Sequence, residues 1–260
     1  MAIIDMHTHI LAQPKMEQEL KIADGNVNAH LQELDKRLAA QGIEHAHVIL
    51  LDERAVDKLI NIPPRLVLSL MVDFRKSTAH EMVKKAKAVG IKGIKILTYE
   101  QEITLNDHPA ILRVAQEVER QGMFLTICST FGSRKMYAHD AIALVSYLLQ
   151  KGFSAPLIMA HAGGSRVREA FLLMEDNTNT YVDTSFTTTF WKGSTVIDDL
   201  AFLIKRYPDR CFFGSDAPYV EWKQARTDAE ELLKKLPAEL HQKLLYGNAK
   251  AFIQRLGVSA

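Results

Sequence analysis

The chain has 260 residues, 47% of them hydrophobic and 24% charged, proportions that fit a soluble globular protein with a large core. Its 32 Lys and Arg nearly cancel 31 Asp and Glu, leaving a formal charge of +1, so there is no reason to expect nucleic acid or an anionic membrane as partner. Two cysteines, Cys128 and Cys211, cannot build a disulfide framework, no apolar stretch reaches the roughly 20 residues that span a bilayer, and the opening residues lack a secretory pattern; the expected setting is the cytoplasm.

The first ten residues carry the strongest signal. Ala2 to Ile4 is apolar and leads into Asp5 and the His7-Thr8-His9 pair. Alternate strand residues share a face, so two imidazoles project together and suit one divalent metal ion at about 2 Å. Leu11 to Asn28 reads as polar and irregular. A helix follows from about Asn28, with Leu31, Leu34 and Leu38 on one face, and ends at Gly42. Strands are then predicted at His45–Leu51, Arg65–Val72 and Ile91–Leu97, with a helix at Ala79–Val89 between the last two.

Asp107-His108-Pro109 opens a helix with Ile111, Leu112, Ala115 and Val118 inward, and Met123–Cys128 is the fifth strand. A helix at Asp140–Lys151 precedes strand six, Pro156–His161. Strand seven is Thr180–Thr184, a helix covers Thr195–Tyr207, and Arg210–Asp216 is strand eight. Helical stretches at Trp222–Lys235 and Pro237–Leu256 complete the chain. Eight apolar strands, each followed by helix-like sequence, predict a single α/β domain over residues 1–260. A doubly wound sheet competes, but a glycine-rich phosphate loop does not follow strand one. The predicted fold is one (β/α)8 TIM barrel, for which about 250 residues is typical.

Catalytic groups of that fold sit at the C-terminal strand ends. His7 and His9 follow strand one, Lys95 is near the end of strand four, Cys128 ends strand five, His161 ends strand six and Asp216 ends strand eight. All would meet at one mouth. His45-x-His47 has the same spacing but begins its strand, so it is expected at the opposite end and is not a ligand pair. His30, His108, His139 and His241 are expected on the surface.

Ile4-Asp5-Met6-His7-Thr8-His9, Gly93-Ile94-Lys95-Ile96, Ile158-Met159-Ala160-His161-Ala162-Gly163-Gly164, Phe213-Gly214-Ser215-Asp216-Ala217-Pro218 and Tyr246-Gly247-Asn248-Ala249-Lys250-Ala251-Phe252 together resemble the amidohydrolase superfamily from end to end. The nearer resemblance is to its amidohydrolase-related branch of metal-dependent TIM-barrel hydrolases and decarboxylases. The resemblance implies His7, His9 and Asp216 as metal ligands, with Asp216 also taking a proton from the attacking water. It implies His161 beside the metal, as a ligand or as the group that orients and protonates the substrate. It implies one divalent ion, with zinc the first choice and manganese or iron as alternatives, and barrels of that branch are often homodimers.

One departure stands out. The family usually ends strand five in histidine, and here the residue is Cys128. Thiolate is a good zinc ligand, so a His-His-Cys-Asp set is chemically sound; a small buried thiol in a site that has lost a ligand is the alternative. Lys95 either binds a substrate carboxylate as a point charge or is salt-bridged inside the barrel.

Loop residues supply the substrate expectation. Tyr99 and Glu100 follow strand four, Ser129, Thr130 and Arg134 follow strand five, Arg166 and Arg168 follow Gly163-Gly164, and Thr184 to Trp191 is a hydroxyl- and aromatic-rich loop. With Lys95, the residues Tyr99, Arg134, Arg166 and Trp191 are the candidate substrate contacts. The leading expectation is a metal-dependent hydrolase of a C–N or C–O bond (amide, lactone or ester) in a small anionic metabolite. A decarboxylase or lyase on the same strand ends is second, and a metal-free ligand-binding barrel is third.

Overall fold

The computed structural model describes residues 2–10, 27–175 and 177–258; the predicted irregular segment after strand one lies mostly outside them. Eight strands pair in parallel in sequence order. They are β1 Ile3–His9, β2 Ile43–Leu50, β3 Leu66–Met71, β4 Gly93–Ile96, β5 Phe124–Cys128, β6 Leu157–Ala160, β7 Thr180–Asp183 and β8 Cys211–Phe212. Parallel neighbours need crossover connections, and the longer helices provide them: α1 Val27–Ala40, α2 Ala79–Ala88, α3 His108–Arg120, α4 Ala141–Gln150, α5 Val167–Glu175 and α6 Val196–Arg206, with α7 Trp222–Leu233 and α8 Asn248–Arg255 after the last strand. The predicted (β/α)8 barrel is the observed one. None of the described helices is long and apolar enough to cross a membrane.

Helix faces follow the apolar spacing. α1 buries Val27, Leu31, Leu34 and Leu38, one stripe along a 3.6-residue repeat. α4 starts where the Asp140 carboxylate accepts the Ala143 N–H at 3.0 Å, satisfying one of the N–H groups a helix start leaves unpaired. α3 buries Val114 with Ile111, Ala115 and Val118, while the expected Leu112 is only half-buried.

Three expectations are corrected. β2 is followed only by a 3-10 segment, Glu53–Lys58, because few residues separate it from Pro63-Pro64, where the chain turns toward β3. The C-terminal helical stretch is broken: Glu239–Gln242 passes through a π turn at Lys243–Gly247 into α8. That turn brings the Leu244 carbonyl to the Phe213 N–H at 2.9 Å and ties the terminal segment to the end of β8. His108 is buried, not on the surface, its ring 5.2 Å from that of Tyr147 on α4. The Thr104–Asp107 capping box turns the chain so that the first residue of α3 points inward.

The barrel interior is layered. At the strand starts Ile4, Met6, Val67, Phe124, Ile158, Tyr181 and Phe212 form an apolar plug, closed from below by Ala249, Phe252 and Ile253 of α8. Gly93 makes room for it, since a Cβ there would stand 2.4 Å from the Phe124 ring. Above the plug lies His47, which is mid-strand and fully buried, higher than its sequence position suggests. Its Nδ1 meets the Met6 carbonyl at 2.9 Å and its Nε2 the Ser69 hydroxyl at 2.8 Å, so neither nitrogen is available to a metal. The strand ends above His47 carry the polar residues.

Burial lowers the His47 pKa from 6.5 to about 4. A folded-state pKa below the unfolded one means the unfolded chain binds more protons between those values, so this stability is complete above pH 6.5 and lost as pH falls toward 4. The shift corresponds to roughly 3 kcal/mol. In chemical denaturation from pH 7 to 4, His47→Gln, which does not titrate, should lose less stability than wild type by an amount of that order.

Candidate active site

β1 places His7 and His9 through a local irregularity. Its register against β2 shifts between Asp5 and Thr8, which lets Met6 join the interior plug while His7, the next residue, faces the cavity above it. β8 approaches from the other side. Gly214 allows this, because a Cβ there would lie 2.8 Å from that of His7. Asp216 follows in left-handed backbone, φ 63°, as do His161 at φ 67° and Phe186 at φ 57°. For residues other than glycine that conformation is strained by an amount on the order of 1–3 kcal/mol. Three cavity residues sharing it mark the strand ends as held in place by their surroundings.

The side chains converge on a cavity of about 170 Å³ lined by His7, His9, Lys95, Cys128, His161 and Asp216, with Leu51, Leu97, Tyr99, Thr130, Met136, Phe186 and Tyr219 as the remaining wall. Donor atoms of His7, His161 and Asp216 all lie within 4.8 Å of one another. His7 Nδ1 donates to Asp183 Oδ2 at 3.0 Å, which leaves the Nε2 lone pair for the cavity. That Nε2 stands 3.6 Å from Asp216 Oδ1, and His9 Nε2 stands 3.4 Å from the same oxygen.

Burial, with Lys95 and His161 nearby, holds the His7 pKa well below 6.5, so its ring is neutral and a lone pair faces a carboxylate. Two ligands about 2 Å from one tetrahedral ion stand about 3.3 Å apart. A neutral imidazole and a carboxylate oxygen at nearly that spacing suit a shared cation better than each other. The donor set therefore fits a divalent metal.

His161 is fixed from below and behind. Its Nδ1 lies 2.9 Å from the Ser185 hydroxyl and 3.2 Å from the Ser185 carbonyl, while Thr187 Oγ1 donates to its backbone carbonyl at 2.5 Å. Ser129 bridges the ends of β5 and β6, donating to the Ala160 carbonyl at 2.6 Å and accepting the Gly163 N–H at 3.0 Å. The Cys128 thiol is hydrogen-bonded to the His161 side chain and stands beside Lys95. Burial opposes charge on both partners, but each stabilises the other's ion: His161 is pushed up to about 9 and Cys128 down from its ordinary value. Burial likewise works against the Asp216 anion, yet the His9 hydrogen bond and the neighbouring imidazoles hold its pKa low. Lys95 is lowered by burial.

Of the predicted residues, His7, His9, Lys95, Tyr99, Cys128, His161 and Asp216 line one cavity. Neither His9 nor Cys128 is among the side chains whose donors gather most closely, His7, His161 and Asp216. Arg134, Arg166 and Trp191 do not line it. Arg134 is exposed at the start of a short helix, Arg134–Ala138, that turns Met136 to the cavity instead. Arg166 pairs with Asp140 at 2.9 Å and with Glu169, over the Phe131 ring. Arg168 pairs with Asp199, and Glu100 with Lys135. The Thr187–Phe190 turn packs Trp191 against Phe190 and leaves Phe186 on the cavity.

The amidohydrolase family model matches residues 4–255. The chain belongs to the amidohydrolase family. Comparison with curated protein sequences gives no match. Among solved structures, an uncharacterized TIM-barrel protein from Bordetella bronchiseptica superimposes with a TM-score of 0.74 at 14% identity, covering 99% of this chain and all of that one. A probable 2-pyrone-4,6-dicarboxylic acid hydrolase from Acinetobacter baumannii, with citric acid bound, gives 0.71 at 14%, again with 99% and 100% coverage. A 4-oxalomesaconate hydratase from Rhodopseudomonas palustris gives 0.62 at 16%, with 98% and 96% coverage. At such identities these neighbours speak for the fold alone.

Two residues of this amidohydrolase site were missed in the sequence, Asp183 and Ser185. Asp183 ends β7, so the strand-end rule that found Asp216 would have found it. Its carboxylate accepts from His7 Nδ1, the backbone N–H groups of His161 and Ser185, and the Ser185 hydroxyl. Carboxylates that orient a ligating histidine tune metal affinity by roughly 10–100-fold. Asp183→Asn should weaken zinc binding by that factor in a chelator competition, with the far-UV circular dichroism spectrum retained.

Proposed function

We propose that this amidohydrolase is a metal-dependent hydrolase that cleaves a C–N or C–O bond (amide, lactone or ester) in a small anionic metabolite. The observation that carries this reading is the convergence of His7 Nε2 and His9 Nε2 on one oxygen of Asp216, at 3.6 and 3.4 Å, in a cavity of about 170 Å³. His7, His9 and Asp216, with His161 alongside, would hold the ion, and zinc suits the imidazole donors best. A divalent ion there supplies an acidified water and polarises the bond under attack.

The chain's own groups handle the protons. Asp216, kept ionised by its imidazole neighbours, accepts the proton that the attacking water loses. His161, pushed up to about 9, donates one to the departing nitrogen or oxygen. Ser185 and Thr187 hold that imidazole in place, and the apolar wall of Leu51, Leu97, Met136 and Phe186 keeps bulk water from competing. Both thiols are buried and unpaired with each other, which suits a reducing cytoplasm.

A second reading, a lyase on the same strand ends, draws support from the hydratase among the fold neighbours. There His161 would protonate the carbon that loses carbon dioxide, and Asp216 would have no attacking water to deprotonate.

Plasma mass spectrometry on protein purified without chelator should find about one equivalent of zinc, lost in a His7→Ala/His9→Ala variant. Asp216→Asn should lower kcat/KM on a responsive lactone or amide by roughly 10²–10⁴-fold. Carbon dioxide release from unsaturated acids, with lactones and amides inert, would favour the lyase; absence of metal even after incubation with added ions would sink both.

A further inference from the structure

Most buried charges in this barrel have partners. Asp5 accepts from Ser215, His7 and Trp222, Asp183 is saturated as described, Asp228 takes Lys192, Thr189 and Gln224, and Glu117 takes Arg120 and Gln121. Lys95 is different. It is 1% exposed, heads the largest fully buried side chains, and lines the cavity, yet its Nζ has no hydrogen-bond partner among the described residues. The charged groups around it, Cys128, Asp183 and Asp216, act on it only through space.

An ammonium buried without a hydrogen-bond partner is costly, and a chain gains nothing for its own fold by keeping one. A methionine of similar length would pack as well. The arrangement makes sense if the missing partner arrives with the ligand.

We propose that Lys95 selects the substrate by its charge, and that the substrate is a small monocarboxylate whose carboxylate sits on the Lys95 ammonium and whose apolar body lies along Leu97, Tyr99 and Phe186. This rests on the reading of the cavity as the catalytic site and sharpens it to a substrate class. β4 and β8 lie on opposite sides of an eight-strand barrel, so a carboxylate held at Lys95 directs the rest of the molecule toward Asp216 and the histidines. Arg134 and Arg166 lie elsewhere, and the His161 imidazolium that also lines the cavity is already hydrogen-bonded to Cys128, so among the described residues Lys95 is the cation left open to a carboxylate. A second carboxylate would meet the apolar wall or the Asp216 anion, or would take the place of the scissile bond at the ion-binding end. A cavity of about 170 Å³ suits a body such as a single ring or a short unsaturated chain.

Benzoate, its neutral isostere benzamide and the dicarboxylate phthalate test this by isothermal titration calorimetry, on the protein as purified and again after chelator dialysis. Wild type should bind benzoate at least ten-fold more tightly than benzamide or phthalate in both states. Lys95→Met should lose at least ten-fold in benzoate affinity and keep its weak benzamide binding. Its unfolding temperature should match or exceed that of wild type, separating lost recognition from lost fold; Lys95→Gln provides a second variant. Equal benzoate affinity in wild type and Lys95→Met overturns the proposal, as does equal affinity for benzoate and benzamide, or no benzoate binding at 10 mM (about the weakest affinity calorimetry resolves, on the millimolar scale). Benzoate binding that vanishes with the metal but ignores Lys95→Met also overturns it, while leaving the metal-dependent reading standing. Protein that carries no metal yet shows the Lys95-dependent preference does the reverse.

Discussion

The seam between β1 and β8 is where this barrel closes, and it closes without regular strand pairing. Regular β8 ends at Phe212, and the chain from Phe213 to Ala217 is stitched to β1 by single bonds: Met6 N–H to the Phe213 carbonyl, Asp216 N–H to the His7 carbonyl, and His9 N–H to the Ala217 carbonyl. Asp5 clamps them together, its carboxylate accepting the Ser215 N–H and hydroxyl, the His7 N–H and the Trp222 indole N–H. Burial raises its pKa to about 6 against those hydrogen bonds. The fold thus accepts a buried carboxylate to fix a place where strand pairing gives way. That place carries His7, His9 and Asp216.

An irregular seam also explains the backbone strain. Asp216 is in left-handed backbone directly after the clamped Ser215, and His161 and Phe186 adopt the same region at neighbouring strand ends. Regular strand would send alternate residues to opposite faces. Left-handed residues redirect side chains so that imidazoles from β1 and β6 and a carboxylate from β8 reach one point. Asp183 holds both ends of this geometry, through the His7 ring and the His161 backbone, although it faces no substrate itself.

Charge in the cavity is distributed asymmetrically. Neutral His7 and anionic Asp216 lie toward the seam, the Cys128–His161 pair supports a thiolate and an imidazolium, and Lys95 stands across from the seam without a hydrogen-bonded counter-group. A cavity with an anionic end and a cationic end orients a ligand as well as holding it. The apolar plug below and the aromatic wall above keep the dielectric low, so these few charges act strongly.

Much of this was legible in the amino-acid order. Apolar runs punctuated by Gly42, Gly90, Gly122 and Gly152 set the alternation of strand and helix, and the rule that polar residues at strand ends share a mouth assembled His7, His9, Lys95, Cys128, His161 and Asp216 from a span of more than two hundred residues. Both signals are local, so a single sequence carries them. Tertiary structure alone decided the rest. Arg166 looked available until Asp140 and Glu169, on separate turns, were brought to it. Trp191 and Phe186 traded places because a short helix rotated the loop. His108 went inward because Tyr147 of the next helix gave it a surface to pack against. Met6 and His7 both face the interior through a register shift that depends on β2. Sequence fixes which side chains stand at which strand ends, because strand period and turn chemistry act over a few residues. Which of them stay unpaired, and so remain available to a ligand, depends on neighbours far away in the chain.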